Sequence, residues 1–190
     1  MPSSNLTSNF SSATQTSDGN ASWSDTGNAL VDDGASATVF VDYPTHTLSN
    51  YLKVTDRIQK IPSGATVDGI IVEIQISQET GLIVTRDFTV YVLKGATLST
   101  PVVDISSVGI VGFGNSTDLW GLSWTAADIN ASDFGVKVLI DNGGSDVTWG
   151  IDYINTTIYY TYTETGDGTG RTTQGRRAVF STKTEMRVVS

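Results

Sequence analysis

The chain reads as an all-β protein: an antiparallel β-sandwich, jelly-roll-like, with one short helical turn and extended N- and C-terminal arms. Three observations predict this. Apolar residues alternate with polar ones over 67–78, 86–93 and 135–141, the period of a strand with one buried face. Nineteen glycines punctuate the chain between such segments, as turns demand. Only one stretch carries a clear helix-start signal, Thr125-Ala-Ala-Asp128, a threonine N-cap with an acid three residues on. The expected organisation is an N-terminal arm over 1–22, a sandwich domain over 23–164, and a flexible hinge with a basic arm over 165–190.

Taken in order, residues 1–20 are rich in Ser, Thr and Asn. Leu6 and Phe10 are their only sizeable apolar groups, so they read as an extended arm. Residues 36–42 alternate, with Ala37, Val39 and Val41 on one face. Residues 48–54 read as a second strand. Ile61-Pro62-Ser63-Gly64 reads as a type I turn, with Pro at i+1 and Gly at i+3. The longest strand, 67–78, points Val72, Ile74 and Ile76 one way and Ile71, Glu73, Gln75 and Ser77 the other. Residues 86–93 put Phe88, Val90 and Val92 on their apolar face. Residues 98–105 read as an edge strand and 108–113 as a loop, because glycines interrupt both neighbourhoods. The helical turn is expected over 126–130. After Phe134, residues 135–141 and 147–163 finish the sandwich, and Asp141-Asn-Gly-Gly-Ser-Asp146 between them reads as a hairpin loop.

Length and composition bound the class. A chain of 190 residues fits one domain with a real core. Charged residues make up only 16%, and hydroxyls and amides take their place. No apolar run of spanning length occurs and the N-terminus lacks a basic, apolar leader, so no membrane partner is expected. The chain has no cysteine, which removes thiolate chemistry and permits folding in a reducing cytoplasm. Charge is unevenly placed. Residues 1–164 carry six basic against eighteen acidic residues, whereas 165–190 carry five basic against two acidic. The acidic body argues against nucleic acid as a partner. The basic tail reads as an inter-subunit arm. Arg171, Arg176 and Arg177 supply charge, and Val179, Phe180, Met186 and Val188 supply apolar anchors.

No catalytic residue is assigned. The lone histidine, His46, lies in a turn-like YPTHT stretch with nothing to hold it as a base. One histidine and no cysteine cannot build a tetrahedral zinc site. No cofactor is expected, although Asp32, Asp33, Asp141, Asn142 and Asp146 are loop oxygen donors of the type that hold a structural calcium ion. Acids beside glycine and asparagine more often form turns. Trp23, Trp120, Trp124 and Trp149, with Tyr153, Tyr159, Tyr160 and Tyr162, could stack on sugars, but packing is the commoner use of such residues.

The most informative stretch is 118–136, DLWGLSWTAADINASDFGV. Trp120, Trp124, Thr125, Asp128 and Phe134 form an aromatic-plugged loop, a capped turn and the start of a strand. It resembles the "LWG.TWTAADIN...FGV" element of small β-sandwich structural proteins of tailed bacteriophages. Trp23, Asn28-Ala29, Asp32-Asp33-Gly34 and Ala37 fit that family's "W…NA..DDG..A" pattern. Tyr51-Leu52-Lys53 and 61–70, IPSGATVDGI, fit its next two elements. Asp152 with 154–160, INTTIYY, fits its closing "D...ITVYY". The match spans 23–162 in order and spacing. It implies a non-enzymatic virion protein made in the bacterial host cytoplasm. Its expected role is capsid decoration (cement). The implied partners are copies of itself, as a trimer, and the major capsid protein or other virion proteins. A tail- or head-fibre module binding host glycan is the rival expectation, and a tail or neck subunit a third.

Overall fold

The computed structural model describes residues 3–45, 48–81, 87–105, 108–141 and 146–163. They form two six-stranded antiparallel sheets packed face to face. Twelve strands follow in chain order: β1 (Ser3–Ser8), β2 (Phe10–Gln15), β3 (Trp23–Ser24), β4 (Ala37–Val41), β5 (Leu52–Arg57), β6 (Thr66–Gly81), β7 (Asp87–Lys94), β8 (Thr97–Leu98), β9 (Val102–Ile105), β10 (Gly109–Asn115), β11 (Gly135–Asp141) and β12 (Val147–Thr161). One helix, α1 (Ala126–Asn130), and one 3-10 turn (Thr26–Ala29) complete the described elements.

The first sheet runs β10-β6-β12-β4-β3, with β1 also beside β12; the second runs β2-β5-β11-β7-β8, with β9 also beside β7. Successive strands switch sheets repeatedly, the habit of jelly-roll sandwiches. The alternation in the sequence is what builds the core. Val72, Ile74 and Ile76 of β6, Phe88, Val90 and Val92 of β7, and Val136, Val138 and Ile140 of β11 are all buried. Each such side chain contributes about 1.5–3 kcal/mol on burial. Trp149 of β12 meets Phe88 edge-on at 5.5 Å, linking the sheets.

β12 pairs with β6 along its length, and its other side is shared. β4 pairs with residues 147–151 and β1 with 156–161. Asp152 is an extra residue in the ladder between the Ile151–Ile76 and Tyr153–Gln75 pairs. That bulge keeps Val147, Trp149 and Ile151 inward before it and Ile154, Thr156 and Ile158 inward after it.

Four expectations need correction. Residues 3–22 form no arm. β1 and β2 are strands of this domain's own sheets, and Phe10 is buried against Phe134 at 6.3 Å. A hydroxyl-rich strand serves here because its partner β12 offers hydroxyls in return, as in the 2.6 Å bond between Thr7 and Thr157. Residues 109–115 form a strand rather than a loop, since Val111 and Phe113 reach the core from an otherwise glycine-rich edge. The 141–146 connection is not a hairpin, because β11 and β12 belong to different sheets. The turn after Ile61 starts at Pro62, whose carbonyl accepts from the Ala65 amide at 3.1 Å, so Gly64 sits at i+2 with φ 82°. That position favours glycine, as in type II turns.

Candidate functional site

The aromatic loop closes one end of the sandwich. After β10 the chain turns back across the end of β6: the Ile70 amide donates to the Asp118 carbonyl at 2.9 Å, and Thr66 pairs with Thr125. Trp120 adopts a left-handed φ of 56° and buries its ring, with Nε1 donating to the Ile70 carbonyl at 2.9 Å. Gly114, at φ 80°, makes room. A Cβ there would lie 2.5 Å from the Ile70 oxygen and 2.8 Å from Trp120 Nε1. Trp124 Nε1 donates to the Leu119 carbonyl at 2.9 Å, and its ring meets Phe134 at 5.6 Å, nearly perpendicular.

The helical turn sits where its cap signal places it. Asp128 N donates to Thr125 Oγ1 at 3.1 Å, and Thr125 N donates back to Asp128 Oδ2 at 2.8 Å. Lys94 Nζ lies 2.9 Å from the same carboxylate oxygen and 5.9 Å from the centre of the Trp124 ring. Partial burial pushes the Asp128 carboxyl up, but hydrogen bonds from Lys94 and Thr125 outweigh it and hold the group below its ordinary range. A lowered folded-state value means stability that is present above the ordinary carboxylate range and is lost as pH falls through the lowered one. Asp128→Asn is therefore expected to lower stability by about 1 kcal/mol at neutral pH, the usual worth of a cap. The gap to the parent should close as the buffer is acidified. Paired thermal melts across pH check this; a gap that stays constant in acid would refute the charge-based account.

The structure thus brings Trp120, Trp124, Thr125, Asp128 and Phe134 together as one closure. It also shows partners that the sequence reading missed. Asn130 acts as a false backbone for Ile61, accepting from its amide at 2.9 Å and donating to its carbonyl at 2.8 Å. Asp152, at the β12 bulge, accepts from the amides of Asp33 and Gly34, both at 3.3 Å. The motif segments of the sequence are therefore each other's partners. Residues 28–34 meet Asp152, and 61–70 meet 118–130.

Other polar clusters are structural in the same way. On the outer face of the first sheet, Glu73 accepts from Tyr153 Oη at 3.0 Å and from Asn155 at 3.2 Å. Burial, then the hydrogen bond to Glu73, push the Tyr153 phenol up to about 12. On the outer face of the second sheet, Lys137 Nζ lies 4.7 Å from the Tyr51 ring centre and Tyr51 meets Tyr91 at 5.9 Å. Burial, then the bond with Tyr91, push the Tyr51 phenol up to about 12. Lys137 already occupies one face of that ring. Of the calcium candidates, Asp33 accepts from the Ala35 amide and Asp146 from the Tyr43 amide, both acting as turn or tether groups. Among the described residues no group of three His, Cys, Asp or Glu could hold a metal ion, and no helix is long and apolar enough to cross a membrane. His46, Asn142 and the arm residues Arg171, Arg176, Arg177, Val179, Phe180, Met186 and Val188 lie outside the described residues.

Among known proteins, no family model matches this chain and no curated protein matches it.

Proposed function

We propose that this chain is a non-enzymatic structural protein of a tailed-bacteriophage virion, acting as a capsid decoration (cement) protein. The observation that carries the reading is the mutual partnership of the resembling segments. The residues that match the phage pattern over 23–162 touch one another and close the sandwich, as a shared scaffold requires. On this reading the protein assembles as a trimer and bridges neighbouring capsomers. Many weak, symmetric contacts then add to effectively permanent attachment.

Burial of all four tryptophans favours this role over the glycan-binding fibre module. A sugar platform presents open aromatic faces, whereas Trp23, Trp120 and Trp124 are turned inward with their ring nitrogens bonded to backbone carbonyls. Quantitative mass spectrometry of purified particles tests the proposal. The expected result is a copy number comparable to that of the major capsid protein. A handful of copies per particle would instead assign the protein to the neck, tail or fibre, and absence from particles would overturn the virion reading altogether.

A further inference from the structure

Among the described residues β10 has one neighbour, β6, so its other side is an open sheet edge. Native edges are usually guarded by lysine, proline or a covering loop. β10 reads GIVGFGN and has neither charge nor proline. Three residues separate it from β9, which among the described residues pairs only with β7 and so is an edge strand of the other sheet. Val103, Val108 and Ile110, on and between these strands, are 56%, 55% and 63% exposed. The opposite edge strand, β2, differs: it reads FSSATQ, its one large apolar residue Phe10 is buried, and Ser11 donates to Asp56.

We propose that the β10 edge receives residues 178–189 of a second copy of this chain as an added β-strand. The inference rests on the assembly reading above and names its acceptor. Several features select this occupant. Twenty-seven residues follow Thr163, where description of the body ends. Within them, 178–189 reads AVFSTKTEMRVV. Phe180, Thr182, Thr184, Met186 and Val188 fall on one face of a strand, and Ser181, Lys183, Glu185 and Arg187, flanked by Val179 and Val189, on the other. The tail carries a net positive charge and the body a net negative one, so a tail is attracted to a body whereas the β10 edges of two bodies repel. Main-chain bonding to the edge would supply affinity, and the alternate apolar side chains would cover Ile110 and its neighbours.

The donor is a second copy because the direct route within one chain is occupied. β12 ends at Thr161, beside Thr66 of β6. On the far side of β6, toward β10, Thr125 takes the place next to Thr66 and Asp118 bonds Ile70. A tail returning to its own β10 would have to cross that connection at the same end of the sheet, which folded chains avoid. Fifteen residues from Thr163 to Ala178 can extend about 50 Å, ample for a neighbour.

The absence of cysteine makes the test clean. Full-length Ile110→Cys protein is mixed with a differently tagged full-length chain carrying Phe180→Cys or Met186→Cys, and disulfides are formed under mild oxidation. A cross-link between the two tagged chains is expected. Ile110→Lys, at a site exposed enough to leave the fold intact by circular dichroism, should convert the oligomer to monomer, as should truncation after Glu164. Cross-linking only when both cysteines share one chain would overturn the proposal, as would an oligomer unchanged by Ile110→Lys. Such failure with capsid-like copy number in particles would leave the virion reading standing. Inter-chain cross-links in a protein absent from particles would do the reverse.

Discussion

Trp120→Ala is expected to destabilise the domain by about 3–5 kcal/mol, the range for deleting a large buried aromatic. Three losses coincide at this position. The ring is fully packed in the core, so its removal leaves a cavity that the neighbouring strands cannot close. The Ile70 carbonyl loses the indole donor at 2.9 Å in a place shielded from water. The left-handed φ of 56° remains to be adopted by alanine without the packing that now holds it. The informative control is Trp149→Phe. Trp149 Nε1 is buried with no hydrogen-bond partner among the described residues, so phenylalanine removes an orphaned donor. Trp120→Phe should therefore cost clearly more than Trp149→Phe. Urea unfolding monitored by near-ultraviolet circular dichroism measures both. A Trp120→Ala cost below about 1 kcal/mol would mean that the loop does not close the core.

This closure was largely legible in the sequence, for a local reason. The cap signal lies within four residues, and the strands β6, β7 and β11 each bury one face, so their alternation survives in the text. What the sequence hid is non-local. Nothing in residues 3–8 announces that their partner lies some 150 positions away, and a Ser/Thr strand looks like an arm until the Thr157 hydroxyl is placed beside it. Asn130 looked like a helix end, yet its amide completes a pairing with Ile61, 69 residues distant. The strand expected over 48–54 instead runs over Leu52–Arg57, and the facing of its last residues is hidden for a different reason. Simple alternation from Leu52 and Val54 would turn Asp56 inward. Asp56 instead takes a left-handed φ of 59°, which shifts the strand by one position and turns Arg57 into the core. A backbone irregularity of that kind leaves no mark on composition or period.

Arg57 supplies the second large effect. It is fully buried, a rare setting for a guanidinium, and among the described residues no carboxylate answers it. Its donors go to neutral acceptors: Nε to Thr156 Oγ1 at 3.2 Å, and the two terminal nitrogens to the carbonyls of Gln59 and Leu6. Burial pushes its pKa down to about 10, with Tyr160 opposing, so it stays charged at neutral pH. The side chain thus ties β5, β12 and β1 together at one point. Replacing a buried charge by a hydrophobe is often harmless when the opposing charge leaves with it. Here two of the three acceptors are backbone carbonyls, which cannot leave. Arg57→Met keeps the volume but strands them, at about 1–3 kcal/mol each less the desolvation regained, so a net loss of about 2–4 kcal/mol is expected. Arg57→Lys should fall between, since an ammonium lacks the planar fork that serves several acceptors at once. The location of the damage is the sharper test. The carbonyl of Leu6 belongs to β1, whose ladder runs along residues 156–161 of β12. Hydrogen exchange in Arg57→Met should therefore accelerate first at the amides of β1, with β6, β7 and β11 still protected. Uniform acceleration across both sheets would show that Arg57 supports the core generally, and an unchanged β1 would show that water replaces the guanidinium at that carbonyl.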